Sequence, residues 1–306
     1  MTEGGIIVMD PFVYAEVMKD VPACDPEELR TALRQSDFPS CEYALANLRM
    51  WSDSFQTRAG MFCGQLYFHM SNIDELLFPC GNGLPTAEDL DTVSKGMKAA
   101  GYSGTIAHVP ACALELPGLA DFYQVQPMDD GNDEYIYKTE TLAELRGSKL
   151  SKKRNLISQF ERLYSPYEVR EIAPADHDTI RSLNDQWRRE HDGMRSIENE
   201  QKALSNALNC YDELGLQGLI LTAGGNIEAF AIFSPINSNS WTVHFEKARS
   251  DCKGAAQVIN QQTARFLTGK CACINREQDL GIPGLRQAKQ SYMPDRMLKD
   301  FLLVPK

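Results

Sequence analysis

The stretch HFEKARSDCKGAAQVINQQ, residues 244–262, decides which fold the sequence predicts. Residues 241–247 alternate apolar and polar side chains, which is typical of a strand, and a helix is predicted from about Gly254 to Leu267. The turn between them contains a lysine, a glycine and two alanines. It is either a tight strand-to-helix connection, in which Gly254 supplies backbone freedom, or a loop that holds a phosphate at the helix N-terminus.

The predicted elements around this stretch alternate between helices and strands. In order, they are the helix 42–56, the strands 61–70 and 75–81, the helix 87–101, the strand 105–110, the strand 167–172, two helices, the hairpin 216–235, the strand 239–248 and the helix 254–267, followed by strand, helix and strand. This pattern predicts an α/β fold with mixed sheets.

The composition limits the number of domains and the kind of partner. The chain has 306 residues, a formal net charge of −11 and a pI of about 5.0. Its length predicts two domains of roughly 150 residues each. The negative charge disfavours unspecific binding of nucleic acid or anionic lipid, so a phosphate-bearing partner needs a local basic patch.

Cysteine and histidine spacing gives no sign of a metal site. The nine cysteines are never spaced C-x-x-C, and the five histidines include no H-x-x-x-H pair. No run of about 18 apolar residues occurs, and the first residues lack the pattern of a signal peptide. We therefore expect a cytoplasmic protein with no bound metal and no membrane span.

Three longer stretches carry a resemblance to a known family. They are EYIYKTETLAELRGSKLSKKRNLISQF (134–160), VHFEKARSDCKGAAQVIN (243–260) and INREQDLGIPGLRQAKQSYMP (274–294). Together with the order of elements, which is similar to that of GNAT-superfamily acyltransferases, they resemble the bacterial family related to the C-terminal domain of phosphatidylglycerol lysyltransferase. The resemblance implies two GNAT-like domains in tandem, as in Fem-type transferases. The predicted division is an N-terminal domain 1–145, a basic connecting helix 146–164 and a C-terminal domain 165–306.

The same resemblance implies a transferase. The expected reaction moves an acyl or aminoacyl group from acyl-coenzyme A or aminoacyl-tRNA to an amine or hydroxyl of a small molecule or peptide. With a tRNA donor, the acceptor end of the tRNA would be a partner. The alternative is a noncatalytic module on a degenerate GNAT scaffold that binds a nucleotide, a peptide or an amino-acid-like ligand.

Two residues are candidates for proton transfer. In a regular strand over 241–247, Trp241, Val243 and Phe245 share one face, and Thr242, His244 and Glu246 share the other. A carboxylate on that polar face suits a general base, and a structural ion pair is the alternative for Glu246. The resemblance implies that Tyr292 protonates the leaving group, and packing at a helix end is its alternative.

The turn of the opening stretch is compared with the coenzyme A loop of GNAT proteins, whose pattern is Gln/Arg-x-x-Gly-x-Gly/Ala. Gly254 and Ala256 fit that pattern, but Asp251 stands where Gln or Arg belongs. A carboxylate there repels a phosphate, and Lys253 is the residue that can compensate for it.

A second polar segment follows the apolar strand that ends at Ile274. Polar groups at the carboxyl end of a strand lie at the usual ligand crevice of an open α/β sheet. Arg276 offers a planar fork for a carboxylate or phosphate, and Asp279 can fix that fork or bind an amine. The predicted substrate-binding residues are His244, Asn275, Arg276, Asp279, Arg286 and Lys289, and a solvated helix surface is the alternative for the last two.

A basic run lies at the predicted connecting helix. If residues 148–164 form one helix, its apolar side chains share an arc of about 120°, with Lys149 and Lys153 inside that arc and Lys152 at its edge. The apolar side chains are Leu156, Ile157, Phe160, Leu163 and Tyr164. The three lysines are therefore predicted to point along the protein body toward an interdomain groove that receives an anion, such as the phosphate of a nucleotide, coenzyme A or tRNA.

Overall fold

The structure, a computed structural model, describes residues 12–190 and 196–306. The first eleven residues of the predicted N-terminal domain and His191 lie outside these ranges. The helices are α1 Tyr14–Val17, α2 Pro26–Ser36, α3 Leu45–Met50, α4 Ser52–Phe55, α5 Ala87–Ala99, α6 Leu119–Phe122, α7 Thr139–Glu144, α8 Ser151–Tyr164, α9 His177–Glu190, α10 Ser196–Asn209, α11 Ala255–Leu267 and α12 Pro283–Gln290.

The strands of the described ranges form two sheets. They are β1 Lys19–Asp20, β2 Thr57–Phe62, β3 Gln65–Met70, β4 Glu75–Leu77, β5 Cys80–Gly81, β6 Ile106–Val109, β7 Tyr123–Pro127, β8 Glu134–Lys138, β9 Tyr167–Glu171, β10 Gln217–Ala223, β11 Asn226–Pro235, β12 Ser240–Ala248, β13 Cys273–Gln278, β14 Arg296–Leu298 and β15 Phe301–Pro305. The prediction of an α/β fold with mixed sheets is confirmed, because both sheets contain parallel and antiparallel pairs.

Each sheet contains one strand from the other half of the chain. The first sheet has the order β1-β2-β3-β4-β6-β15-β7, so the last strand of the chain lies between two strands of the N-terminal half. The second sheet has the order β14-β8-β13-β12-β11-β10-β9. The predicted division at residue 145 therefore does not separate the two sheets, since β8 precedes it and β15 follows it.

The helix predicted over 87–101 shows how local sequence sets an element. Thr86 accepts a hydrogen bond from the Asp89 backbone N–H at 3.1 Å, and Asp89 accepts one from the Thr86 N–H at 3.3 Å, which is a capping box. Leu90, Val93 and Met97 then recur at helical spacing and are buried in the core of the first sheet.

The helix predicted over 42–56 is wrong as a single element, and so is the strand predicted over 61–70. The first is divided into α3 and α4 after a short 3-10 turn. The second is a hairpin of β2 and β3, because Cys63 and Gly64 both adopt positive φ angles, of 49° and 74°, and turn the chain back.

The parallel pair β12 and β13 diverges along its length. Pairing covers Ser240 with Cys273, Trp241 with Ile274 and Thr242 with Asn275, and it stops there. The two strands continue to residues 248 and 278, so a wedge opens between them. Beyond Thr242 and Asn275 the two backbones are no longer paired, and side chains of both strands lie in the gap between them.

A β-bulge in β12 changes which side chains share a face. Phe233 pairs with Val243, but its neighbour Ile232 pairs with Phe245, so one extra residue sits in β12. Val243 packs in the core that contains α11, whereas Phe245 packs in the core that contains α10. The predicted regular alternation over 241–247 is therefore wrong.

Candidate active site

An ion pair and a hydrogen bond cross the wedge between β12 and β13. Arg276 Nη2 donates to Glu246 Oε1 at 2.8 Å, and His244 Nδ1 lies 3.0 Å from Glu277 Oε1. The structure thus brings the predicted residues Glu246, His244 and Arg276 to one place. It adds Glu277, which was not among the predicted site residues.

Glu246 has partners on both carboxylate oxygens. Oε1 accepts from Arg276, and Oε2 accepts from Asn260 Nδ2 on α11 at 2.9 Å. This is the ion-pair arrangement that the sequence left open as an alternative, and a role as general base stays a prediction. Arg276 keeps one buried nitrogen, Nη1, with no hydrogen-bond partner in the described ranges.

Tyr292 lies beside two cations. Its side chain is 4% exposed, with Lys153 Nζ at 4.0 Å and the guanidinium carbon of Arg276 at 4.9 Å from its ring centroid. Burial raises the pKa of Tyr292 further than Arg276 lowers it, so the phenol keeps its proton at neutral pH. Such a group can donate a proton but does not act as a base.

Of the three lysines predicted to point toward a groove, one reaches the cluster around Tyr292. Helix α8 begins at Ser151, so Lys149 precedes it and is exposed, as is Lys152. Leu163, predicted in the apolar arc, is 65% exposed. Lys153 alone reaches the cluster, where burial and the charge of Arg276 lower its pKa.

The glycine turn packs closely on α8. Gly254 has a φ angle of 92° and precedes α11, and a Cβ there would lie 2.4 Å from the Leu156 carbonyl oxygen and 2.9 Å from Phe160 Cβ. The glycine is therefore required for both its backbone conformation and its contact with α8. Lys253 is exposed and Ala256 is half-buried at the start of α11.

The carboxylate of Asp251 is paired with a cation at this turn. Both of its oxygens accept from Arg249, at 3.0 and 2.8 Å, and this pairing lowers the pKa of Asp251. The expected repulsion of a phosphate is thereby weakened.

Asn275 and Asp279 are built into the protein interior. Asn275 donates to the buried carboxylate of Glu134 and to a backbone carbonyl. Asp279 accepts from Tyr135 Oη at 2.6 Å and from Arg286 Nε at 2.8 Å. Burial favours the neutral acid, but these hydrogen bonds outweigh it and lower the pKa of Asp279. Both side chains are thus held by other protein groups.

Lys289 is buried, so the solvated-surface alternative is wrong for it. Its Nζ donates to the carbonyl oxygens of Arg276 and Gln278, at 2.6 and 2.5 Å. These carbonyls flank Glu277, which has a positive φ of 58°. Burial lowers the pKa of Lys289 to about 8. Lys289 therefore fixes the backbone that presents Glu277.

A cavity of about 420 Å³ lies beside Glu277, between segments from the two halves of the chain. Its walls include Glu42, Trp51, Glu75, His108, Glu277 and Leu280. Sequence reasoning missed this cavity because its residues are scattered from 42 to 280. The one available signal was Glu277 itself, which lies in the polar segment after β13.

His108 is the positively charged group of this cavity. It is 5% exposed, has a φ of 53°, and its Nδ1 lies 3.2 Å from Asp300 Oδ2. Burial alone lowers the pKa of His108, but the hydrogen bond to Asp300 and the charges of Glu42 and Glu75 raise it to about 9. The imidazole is therefore charged at neutral pH.

The family described as phosphatidylglycerol lysyltransferase, C-terminal, matches residues 33–304. The chain belongs to this family. A crystal structure of a conserved protein of unknown function from Bacteroides thetaiotaomicron is 29% identical, with a TM-score of 0.86, and the match covers 94% of this chain and 99% of that one. No curated protein matches the chain.

Two more distant structures share the fold of this lysyltransferase-family chain. L-PGS from Bacillus licheniformis is 16% identical with a TM-score of 0.63, and the match covers 92% of this chain and 91% of that one. FemX is 10% identical with a TM-score of 0.59, over 91% and 96% of the two chains. The resemblance to the lysyltransferase family and to Fem-type folds is thus confirmed, and the family supports an acyl- or aminoacyltransferase type of function. None of the helices in residues 12–190 and 196–306 is long and apolar enough to cross a membrane.

Proposed function

We propose that this chain transfers an aminoacyl group from an aminoacyl-tRNA ester to an amine or hydroxyl of a small-molecule or peptide acceptor. The observation that carries the proposal is the cluster in the wedge, where Arg276 keeps an unpaired buried nitrogen next to Lys153 and Tyr292. A buried cation with an unused donor favours a ligand that brings negative charge.

The chemistry needs negative charge to be stabilised and two protons to move. The acceptor nitrogen or oxygen attacks the ester carbonyl, whose oxygen becomes negative, and collapse of this adduct expels the ribose hydroxyl. Arg276 and Lys153 are suited to stabilise the oxyanion or the terminal phosphate. Tyr292 is suited to give its proton to the leaving oxygen, and Glu246 is the candidate that takes the proton of the acceptor. Positioning of the two substrates supplies much of the rate, so a nucleophilic side chain is not required.

The packing of the glycine turn supports an aminoacyl ester over coenzyme A. In GNAT enzymes a pyrophosphate lies against such a turn and the helix that follows it. Here one side of the turn at Gly254 is filled by the backbone of α8 at Leu156. The donor proposed for this chain therefore approaches from the side of Lys153 and Arg276.

The second candidate is a noncatalytic module that binds an amino-acid-like ligand. It is favoured by one observation, the full occupation of Glu246 by Arg276 and Asn260. In this case Glu246 is a structural acid, and no residue of the wedge takes a proton.

Single-turnover transfer from charged tRNAs and from acyl-coenzyme A species, measured side by side, separates these functions. We expect transfer from a charged tRNA, with rate losses of about 100-fold for Tyr292→Phe and Arg276→Met. The matched controls are Tyr164→Phe and Arg162→Met on α8, which are expected to leave the rate unchanged. Full activity of both wedge variants, or transfer from acyl-coenzyme A alone, would contradict the proposal. Binding of an amino acid amide without any transfer would favour the noncatalytic module.

A further inference from the structure

Three side chains form a hydrogen-bonded chain across neighbouring strands of the second sheet. Ser234 Oγ lies 2.8 Å from His244 Nε2, and His244 Nδ1 lies 3.0 Å from Glu277 Oε1. The three residues come from β11, β12 and β13. A hydroxyl, an imidazole and a carboxylate joined in this order form the arrangement that activates a serine as a nucleophile on several unrelated folds.

The hydrogen bonds run in the direction that this chemistry needs. A carboxylate can only accept, so His244 Nδ1 carries the proton of the neutral imidazole. His244 Nε2 is then an acceptor, and the Ser234 hydroxyl is the donor of the bond between them. Thr242 Oγ1 also donates to Glu277 Oε1, at 3.0 Å, and so helps to fix the carboxylate. Nε2 is therefore placed to take the proton of the serine.

Two irregularities of the backbone place the partners of this serine. The β-bulge of β12 leaves His244 without a partner in β11, because the pairing passes from Val243 directly to Phe245. Bulges are frequent next to active sites, where they redirect a side chain. Glu277 has a positive φ of 58°, and Lys289 holds the carbonyls on both sides of it. Strained residues of this kind are concentrated at functional sites.

Ser234 lines a cavity of about 870 Å³, which also includes residues of α2 and of the segment after α10. The volume is in the range of small-molecule sites. The apolar residues of its wall are Leu33, Leu45, Ala46, Leu214 and Ile236. Ser234 is 1% exposed, so bulk water has little access to its hydroxyl. The wall therefore suits the apolar chain of an acyl group.

The same cavity contains an available cation. Arg34 lines it from α2 and is exposed. Within residues 12–190 and 196–306 its guanidinium makes no hydrogen bond and no ion pair, whereas Arg30, one turn earlier, is paired with Glu27. A cation without a partner is suited to stabilise a carbonyl oxygen that becomes negative during attack on an ester.

We propose that this chain has a second activity, the hydrolysis of carboxylic esters in this cavity, with Ser234 as the nucleophile and His244 as the base. Ser234 Oγ forms a bond to the ester carbonyl carbon while His244 Nε2 takes the hydroxyl proton. The bond to the leaving alcohol oxygen then breaks, and His244 gives that oxygen the proton. Water next attacks the acyl-serine and gives a proton to His244. The carboxylic acid is released as Ser234 regains its proton. Glu277 is a positioning residue that keeps Nδ1 protonated and stabilises the imidazolium.

Labelling of the full wild-type chain with a fluorophosphonate tests the nucleophile without any substitution. In this reaction an activated serine oxygen forms a bond to phosphorus and fluoride leaves. We expect an adduct on Ser234, located by peptide mass spectrometry, and labelling about 100-fold slower in His244→Gln. Ser238→Ala, at an exposed serine of the same cavity, is the matched control and is expected to stay within two-fold of the wild type. No adduct, or an adduct on Ser238 in place of Ser234, would overturn the proposal.

Glu277→Gln distinguishes a catalytic arrangement from a structural chain of hydrogen bonds. The amide carries no charge to stabilise the imidazolium, so labelling and the hydrolysis of p-nitrophenyl butyrate are expected to be at least about ten-fold slower. Glu168→Gln, at an exposed acid on β9, is the charge-matched control and is expected to leave both rates unchanged. Equal rates in Glu277→Gln and the wild type would contradict the assigned role. Neither assay contains a tRNA, so failure of ester hydrolysis and failure of the proposed transfer are separate results.

Discussion

Replacing Asp300 by asparagine tests how the charge of His108 contributes to stability. Asp300 accepts from His108 at 3.2 Å inside the protein and is the main partner that keeps the imidazole charged. The pKa of His108 rises from 6.5 to about 9 in the folded protein. A raised pKa means that the folded state binds the proton more tightly, so this stabilisation is complete below pH 6.5 and is lost as the pH rises to 9.

The size of this stabilisation follows from the shift in the pKa of His108. A difference of about 2.5 pKa units, at about 1.4 kcal/mol per unit, corresponds to about 3 kcal/mol of unfolding free energy. In Asp300→Asn the amide still accepts a hydrogen bond but carries no charge, so most of this pH-dependent part is expected to disappear. Because Glu42 and Glu75 also raise this pKa and remain in the variant, the wild type is expected to lose about 2 kcal/mol more than the variant between pH 7 and pH 9.5.

Urea unfolding at the two pH values measures the difference directly. The Cε1 proton signal of His108 in NMR, followed against pH, gives its pKa independently. Glu134 is a second contributor, because burial and the charge of Asp300 raise its pKa to about 7. Its part of the stability is lost as the pH rises from 4.5 to 7, so the comparison begins at pH 7. An equal pH slope in both proteins, or a pKa of His108 below 7 in the wild type, would refute the reasoning.

Two further predictions concern the glycine turn and a second histidine. Gly254→Ala is expected to lower the unfolding free energy, measured in urea, by about 2–4 kcal/mol. The alanine has an unfavourable φ at this position, and its Cβ also clashes with the carbonyl oxygen of Leu156. Gly147→Ala, with a φ of 90° but open space around it, is the matched control and is expected to cost only about 1 kcal/mol; equal losses would contradict the packing argument. Burial lowers the pKa of His69 to about 4, so stability is expected to fall as the pH drops from 6.5 to 4, and His69→Gln should flatten that slope. An unchanged slope in His69→Gln would show that other groups cause the acid sensitivity.

The sequence was a good guide where one local pattern decides an element. The alternation before residue 248 and the glycine turn predicted β12 and α11, and the capped amphipathic pattern predicted α5. Position within the predicted elements selected Glu246, Arg276 and Lys153, and the family resemblance added Tyr292. These four residues form one cluster.

Long-range pairing explains most of what the sequence could not predict. The membership of β15 in the first sheet depends on partners about 170–200 residues earlier, and no local pattern encodes that. The bulge in β12 arises from its register with β11, so the side-chain faces of residues 243–245 could not be read from alternation alone. Similarly, the charge of His108 could not be predicted, because Asp300 and Glu42, which raise its pKa, are far from it in the chain.

The position of β15 has a consequence for how the protein is made. This strand lies between β6 and β7, so the first sheet lacks an interior strand until residues 301–305 have been synthesised. A ribosome makes a chain from its N-terminus, and N-terminal domains usually fold first during synthesis. In this chain the gap between β6 and β7 is therefore expected to stay open until residues 301–305 have left the exit tunnel.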